Sequence, residues 1–458
     1  MGKVKVPSRA MWGASTQRAI DNFKISGRRF PRPFIKALAL IKKAAAETNG
    51  ELGLVEGRVA SAVARAADRI ARGEHYDEFP LDVFQTGSGT STNMNANEVI
   101  ARLAEGILNS KGLGGVHPND HVNLCQSSND VIPSAIHLSA AIEVKENLLP
   151  ALDGLTKALR KKSREFDGVM KIGRTHLMDA MPVRLGQEFG GWARQCEMAR
   201  ERVGRAMRAM AELALGGTAV GTGFASHPAF AKKACARLSR WTKLRFRPAE
   251  NPFEALSSHG PCVEMSGAVK AAAISMARIS EDIRLLASGP RLGFREITLP
   301  ALQPGSSIMP GKVNPVIPEA VIQVATQVAA NDLAVSMAAQ GGHLELSTQL
   351  PVLASNLLES IEILSGAAKA LAGLCVSGIA ANEEVCRRDV ERSLALATAL
   401  APRIGYARAA EVAKEAARTG RTVRETAIKL KAAGEAELAS LLEVRSMTVP
   451  GIARKRRQ

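Results

Sequence analysis

What this sequence lacks narrows it first. Aromatic residues make up only 4% of its 458 residues, and its six cysteines, Cys125, Cys196, Cys235, Cys262, Cys375 and Cys386, form no Cys-x-x-Cys pair. Cysteines scattered in this way indicate neither a disulfide framework nor a zinc ribbon and fit a reducing, cytoplasmic setting. There is no run of eighteen or more apolar residues and no apolar signal-peptide core at the amino terminus, so a soluble protein without a membrane partner is expected. A Gly-x-Ser-x-Gly elbow is missing, which argues against a serine hydrolase. A nucleotide phosphate loop is missing too. It needs four residues between its glycines and a hydroxyl after its lysine, whereas five separate Gly305 from Gly311 and Val313 follows Lys312.

Acidic residues are also in deficit, 44 against 61 basic ones, for a net charge of +17. That balance favours anionic ligands and would attract nucleic acid weakly. The basic residues are nevertheless spread through helical segments with few aromatics for stacking, so no nucleic-acid partner is expected. The one dense cluster, Arg454-Lys455-Arg456-Arg457, reads as a solvated tail.

What is present is helix-forming. Alanine, leucine, valine, arginine and glutamate dominate long stretches, which predicts an all-α, mainly helical protein. Two alanine-rich helices are expected at roughly 31–49 and 56–72, followed by a loop-rich region from Asp77 to Cys125; together residues 1–126 form a flanking domain. Long helices fill a central domain, 127–383, where Leu148, Leu152, Leu155 and Leu159 recur at helical spacing. The segment from Pro318 to Gln340 is apolar nearly all round, which predicts burial on every side and a bundle core shared between subunits. Shorter charged helices, including Val423 to Lys431, make a small third domain, 384–458.

Polar loops interrupt this pattern. The run Gly305-Ser306-Ser307-Ile308-Met309-Pro310-Gly311-Lys312-Val313-Asn314-Pro315 combines conformational freedom, stiffness and donors suited to an anion. Thr86 to Asn95 crowds hydroxyls and amides around Gly87 and Gly89 but lacks the third glycine of a dinucleotide fingerprint. Gln126-Ser127-Ser128-Asn129-Asp130 stands where a helix should begin, so its side chains are either caps or ligand contacts. Gly173-Arg174-Thr175-His176 offers a histidine that needs a partner to act on a proton, and Glu319 is a candidate. His117 and His121 have the spacing of a metal pair, but Pro118 makes a regular helix improbable, and no metal is expected.

Taken together these islands resemble the fumarase/aspartase superfamily, and within it the class II fumarate hydratases, over nearly the whole chain from Val6-Pro7 and Trp12-Gly13-Ala14 onward. The resemblance implies a three-domain subunit in a homotetramer, with each active site shared between three subunits. It implies reversible hydration of fumarate to L-malate, a tricarboxylic acid cycle step, with no cofactor. By motif, Ser306 is the base at C3 of malate, and His176 supported by Glu319 handles the departing water. Ser88, Thr90, Ser127, Ser128, Asn129, Thr175, Ser307, Lys312 and Asn314 are implied substrate contacts, and His117, Asn119 and Asp120 match a second carboxylate site. The alternative is aspartate ammonia-lyase, towards which Asn314-Pro315-Val316-Ile317-Pro318-Glu319 and His121 lean. His176 after Gly-Arg-Thr, Ser128, and Gly311 before Lys312 favour water as the leaving group.

Overall fold

The computed structural model describes residues 2–109 and 115–451; the Arg454-Lys455-Arg456-Arg457 cluster lies outside the described residues. The fold is mainly helical, and its strands occur in short two-stranded pairs. The chain divides into two compact units. One contains 1–151, 199–274 and 324–366, the other 152–198, 275–323 and 367–458.

In the first unit the two expected alanine-rich helices are Arg32–Glu51 and Gly57–Ala71, which pack on each other. Proline in the first turn suits the start of Arg32–Glu51, where an N–H has no helical acceptor. Val59, Val63 and Ile70 fall on one face of the second helix and are buried.

The expected loop-rich stretch from Asp77 to Cys125 is instead interrupted by a 20-residue helix, Thr90–Asn109. Its amide-rich opening looks like loop because Asn competes for backbone hydrogen bonds when solvated. Here the side chains are buried and spent on tertiary partners. Asn95 donates to the Glu78 carbonyl at 3.0 Å, and Asn97 donates to Asn123 at 3.1 Å.

In the second unit the longest strands, Met170–Thr175 and Met178–Arg184, form an antiparallel hairpin. Ile172 enters an apolar cluster with Val390, Leu400, Val412, Val423 and Leu438. The hairpin therefore shares one core with the short carboxy-terminal helices, among them Val423–Lys429. Leu152, Leu155 and Leu159 of this unit are fully buried, as is Leu148 of the first, as their spacing predicts.

One helical stretch, Leu350–Gly378, is long and apolar enough to cross a membrane by length and composition. Its Leu353, Leu357, Ile361 and Leu364 are buried within the protein. The Val316–Ala339 helix, expected to be buried in a core shared between subunits, leaves part of its apolar surface open in the single chain. Within one chain Leu333 is 64% exposed and Met337 56% exposed.

Candidate active site

Two of the polar islands meet within the first unit. Gly89, at φ 73°, turns the chain into the Thr90–Asn109 helix, and a side chain at Gly87 would run into the Thr348 carbonyl. Beside them Ser88 and Thr90 share a hydrogen bond at 2.9 Å. Asn93, one turn into that helix, donates to Ser128 Oγ at 3.0 Å and so ties the first island to the second.

Ser127 caps the Ser128–Glu143 helix. Its Oγ accepts from the Asn129 amide at 3.2 Å, and Asp130 reaches back to accept from the Ser127 amide at 2.9 Å. The capping alternative is thus realised, and the same geometry aims a helix amino terminus, a natural anion site, at the Ser127-Ser128-Asn129 segment. Asn129 is held by the Ala219 carbonyl at 2.8 Å. Asp130 is completely buried and also accepts from the Gly216 and Thr218 amides at 2.9 and 3.0 Å. Burial raises its pKa to about 6 against the pull of these donors and of Lys42.

Lys42 was invisible as a site residue in the sequence. It is 0% exposed, and its ammonium donates to Asn123 Oδ1 at 2.9 Å and Gln126 Oε1 at 3.0 Å. Desolvation lowers its pKa to about 7, opposed by the field of Asp130. The available signal was helical phase, because Leu38, Ala45 and Asn49 stand four before, three after and seven after it on the same buried face.

In the second unit the Gly305 to Pro315 run is an irregular loop that ends where the Val316–Ala339 helix begins. Its neck is closed by Gly305 N–H donating to the Lys312 carbonyl at 2.6 Å and Asn314 Nδ2 donating to the Gly305 carbonyl at 2.9 Å. A Cβ at Gly305 would stand 2.7 Å from the Asn314 nitrogen, so only glycine fits. At its centre Ser306 Oγ accepts from the amides of Ile308 and Met309, at 3.2 and 3.1 Å. Ser307 and Lys312 are exposed on this loop. A cavity of about 740 Å³ is lined by Lys312, Asn314, Arg284, Arg295, Asn382 and Arg388 among others.

His176 and Leu177 form the two-residue turn of the hairpin, both in the left-handed region at φ 56° and 63°. A turn of this kind favours Asn or Gly, so two bulky residues there carry strain of a sort that gathers at functional sites. Thr175, His176 and Leu177 are exposed. Beneath the turn, Lys171 is 1% exposed, with Glu188 Oε1 at 2.8 Å and Glu296 Oε2 at 3.1 Å. The second contact is an ion pair off the line of a good hydrogen bond. Arg174 adds a 2.7 Å bond to Glu296 Oε1, and burial raises the Glu188 carboxyl. Glu319 faces Arg284 at 3.7 Å; among the described residues no hydrogen bond or ion pair joins it to His176.

His117, Asn119 and Asp120 lie exposed on a π-helical turn, Pro118–Val122. His117 Nδ1 accepts from the Asp120 amide at 3.2 Å and stands 3.0 Å from Asp120 Oδ2, while His121 Nδ1 accepts from the His117 amide at 2.8 Å. Among the described residues, no group of three or more His, Cys, Asp or Glu side chains is placed to hold a metal ion.

Residues 2–330 match the Lyase family and residues 396–449 match the Fumarase C C-terminus family. The chain is 51% identical over 453 residues to the class II fumarate hydratase of Halobacterium salinarum, covering 99% of this chain and 96% of the relative. It is 48% identical over 451 residues to that of Methylorubrum extorquens, covering 98% and 96%. The crystal structure of class II fumarase from Schistosoma mansoni superposes with a TM-score of 0.94 at 39% identity, covering 97% of each chain. The chain belongs to the class II fumarases of the fumarase/aspartase superfamily.

Proposed function

We propose that this protein is a fumarate hydratase, a carbon-oxygen lyase that interconverts fumarate and L-malate. The observation that carries the catalytic assignment is Ser306 Oγ receiving two loop amides. A serine hydroxyl is a poor base, and only as an alkoxide stabilised by such donors and a nearby ammonium can it remove a carbon-bound proton. Lys312, on the same loop, supplies that ammonium. Proton removal from C3 of malate leaves a doubly charged aci-carboxylate. His176 then gives a proton to the C2 hydroxyl, which departs as water, and hydration runs the same steps backwards.

Ser88, Thr90, Ser127, Ser128, Asn129, Thr175, Ser307, Lys312 and Asn314 hold the carboxylates in this reading, and His117, Asn119 and Asp120 form a second carboxylate site. The reaction has no redox step and is assigned no cofactor. The exposed apolar side chains Leu333 and Met337, with Leu177 and Met178 at the hairpin tip, support assembly into a homotetramer. Three subunits would then contribute to each site and let Glu319 support the His176 of another copy. The three-region division 1–126, 127–383 and 384–458 and a cytoplasmic location belong to the same proposal.

The test follows fumarate loss by ultraviolet absorbance with water alone and with added ammonium. Turnover without ammonium is expected, and a requirement for ammonium would establish the aspartase alternative instead. Ser306→Ala and His176→Asn should each cut turnover by about 10²-fold or more with the assembly intact. Near wild-type turnover in Ser306→Ala would remove that residue from the base role.

A further inference from the structure

We propose that Lys42 is a positioning residue for substrate binding: its buried ammonium, acting through Asn123 and Gln126, fixes the Ser127-Ser128-Asn129 carboxylate contacts and places a positive charge behind them. This rests on the dicarboxylate reading of that segment.

Lys42 has no direct carboxylate partner among the described residues. Both of its hydrogen bonds end on neutral amide oxygens, Asn123 Oδ1 and Gln126 Oε1. The charged group acting on it, Asp130, is saturated by the amides of Ser127, Gly216 and Thr218. An ammonium taken out of water into such a setting costs stability rather than adding it. Packing does not require the charge either, because methionine would fill similar space.

The charge does have a consistent destination. Asn123 Oδ1 accepts from Lys42 Nζ, Asn93 Nδ2 and Asn97 Nδ2, and the same Asn93 amide reaches Ser128 Oγ. Gln126 immediately precedes the capping serine. Asn49 pins the Leu124 carbonyl at 3.0 Å, and Cys125, a buried non-glycine residue at φ 63°, is held in the left-handed region between them. Such strain persists only when surrounding contacts over-determine it. The network thus holds a strained turn that sets where the helix starts, and in its protonated form Lys42 adds a positive charge behind the partial one of the helix terminus. A dianionic substrate at that terminus would feel both, the second from an ammonium that is itself sealed from water.

The test compares wild type with Lys42→Met, Lys42→Arg and Gln126→Met, measuring kcat and KM for fumarate, binding of succinate as a non-reacting dicarboxylate, and melting temperature. In Lys42→Met, KM and the succinate Kd should rise by about tenfold or more, with kcat changed much less and the melting temperature held or raised. Lys42→Arg should restore part of the affinity, and Gln126→Met should show a smaller rise. Wild-type KM and succinate Kd in both Lys42→Met and Gln126→Met would overturn the proposal. So would a loss of kcat in step with melting temperature at constant KM, since that marks a merely structural residue. If Lys42→Met does not fold, Gln126→Met alone decides by the same criteria. A wild-type protein that binds succinate without hydrating fumarate would refute the hydratase reading and leave Lys42 judged by succinate affinity. Binding of neither by wild type would refute both.

Discussion

Lys42 and Lys171 are both buried lysines next to proposed substrate-handling segments, yet their surroundings differ in kind. Lys171 has two carboxylates, Glu188 and Glu296, and Arg174 completes the charge balance at Glu296. Lys42 has two neutral amides and a carboxylate engaged elsewhere. The first arrangement is a compensated ionic network that fixes a hairpin. In the second the ammonium keeps much of its field available to its surroundings. A buried charge that is fully paired is thus read as architecture, and one left incompletely neutralised is read as a contribution to ligand binding.

The comparison breaks most sharply at stability. Lys171→Met would leave Glu296, which is 0% exposed, without one of its two cationic partners and Glu188 without its own. Removing one side of such a buried network should cost about 3–5 kcal/mol, seen as a large fall in the denaturant midpoint. If Lys171→Met and Lys42→Met proved equally destabilising, the distinction between the two lysines would fail.

The legibility of these regions also differed. The Arg32–Glu51 and Gly57–Ala71 helices were written in alanine content and spacing, and the 305–315 loop in its glycines and prolines. The Thr90–Asn109 helix was not, because its asparagines are loop formers in water and become helix-compatible only when Glu78, Asn123 and Ser128 take their amides. The adjacent pair Lys42 and Lys43 shows the same limit. Lys43 faces Asp68 at 2.8 Å with part of its side chain solvated, while its neighbour is sealed inside. Charge type alone does not tell them apart, whereas helical phase does. The proposed substrate segments could be named from motif, but the residues that hold them come from distant parts of the chain and needed the fold.

A medium effect is expected in the pH dependence of stability. Lys42 has its folded pKa lowered from 10.5 to about 7. Between those values the unfolded chain keeps a proton that the folded chain has released, so this residue makes stability rise with pH across about 7 to 10.5 and imposes its full cost below that window. The difference in unfolding free energy between Lys42→Met and wild type should therefore be largest near neutral pH and shrink towards pH 10. Denaturant titrations of both proteins along that range measure it, and a constant difference would mean that Lys42 does not titrate in the window.

The smallest effect tests whether the Lys42 network reaches Ser127 as a matter of binding or only of fold. Ser127→Ala removes a cap whose Oγ accepts from the Asn129 amide, which should lower stability by about 1 kcal/mol. Because Lys42 contributes little favourable stability, Lys42→Met and Ser127→Ala should add nearly independently in denaturant midpoints. Their effects on succinate affinity should not add, since both alter the same carboxylate contacts through the Asn123 to Gln126 turn. A double-mutant cycle run on both quantities separates the two: coupling in affinity without coupling in stability identifies a network built to hold ligand. Coupling in stability alone would return Lys42 to the same architectural class as Lys171.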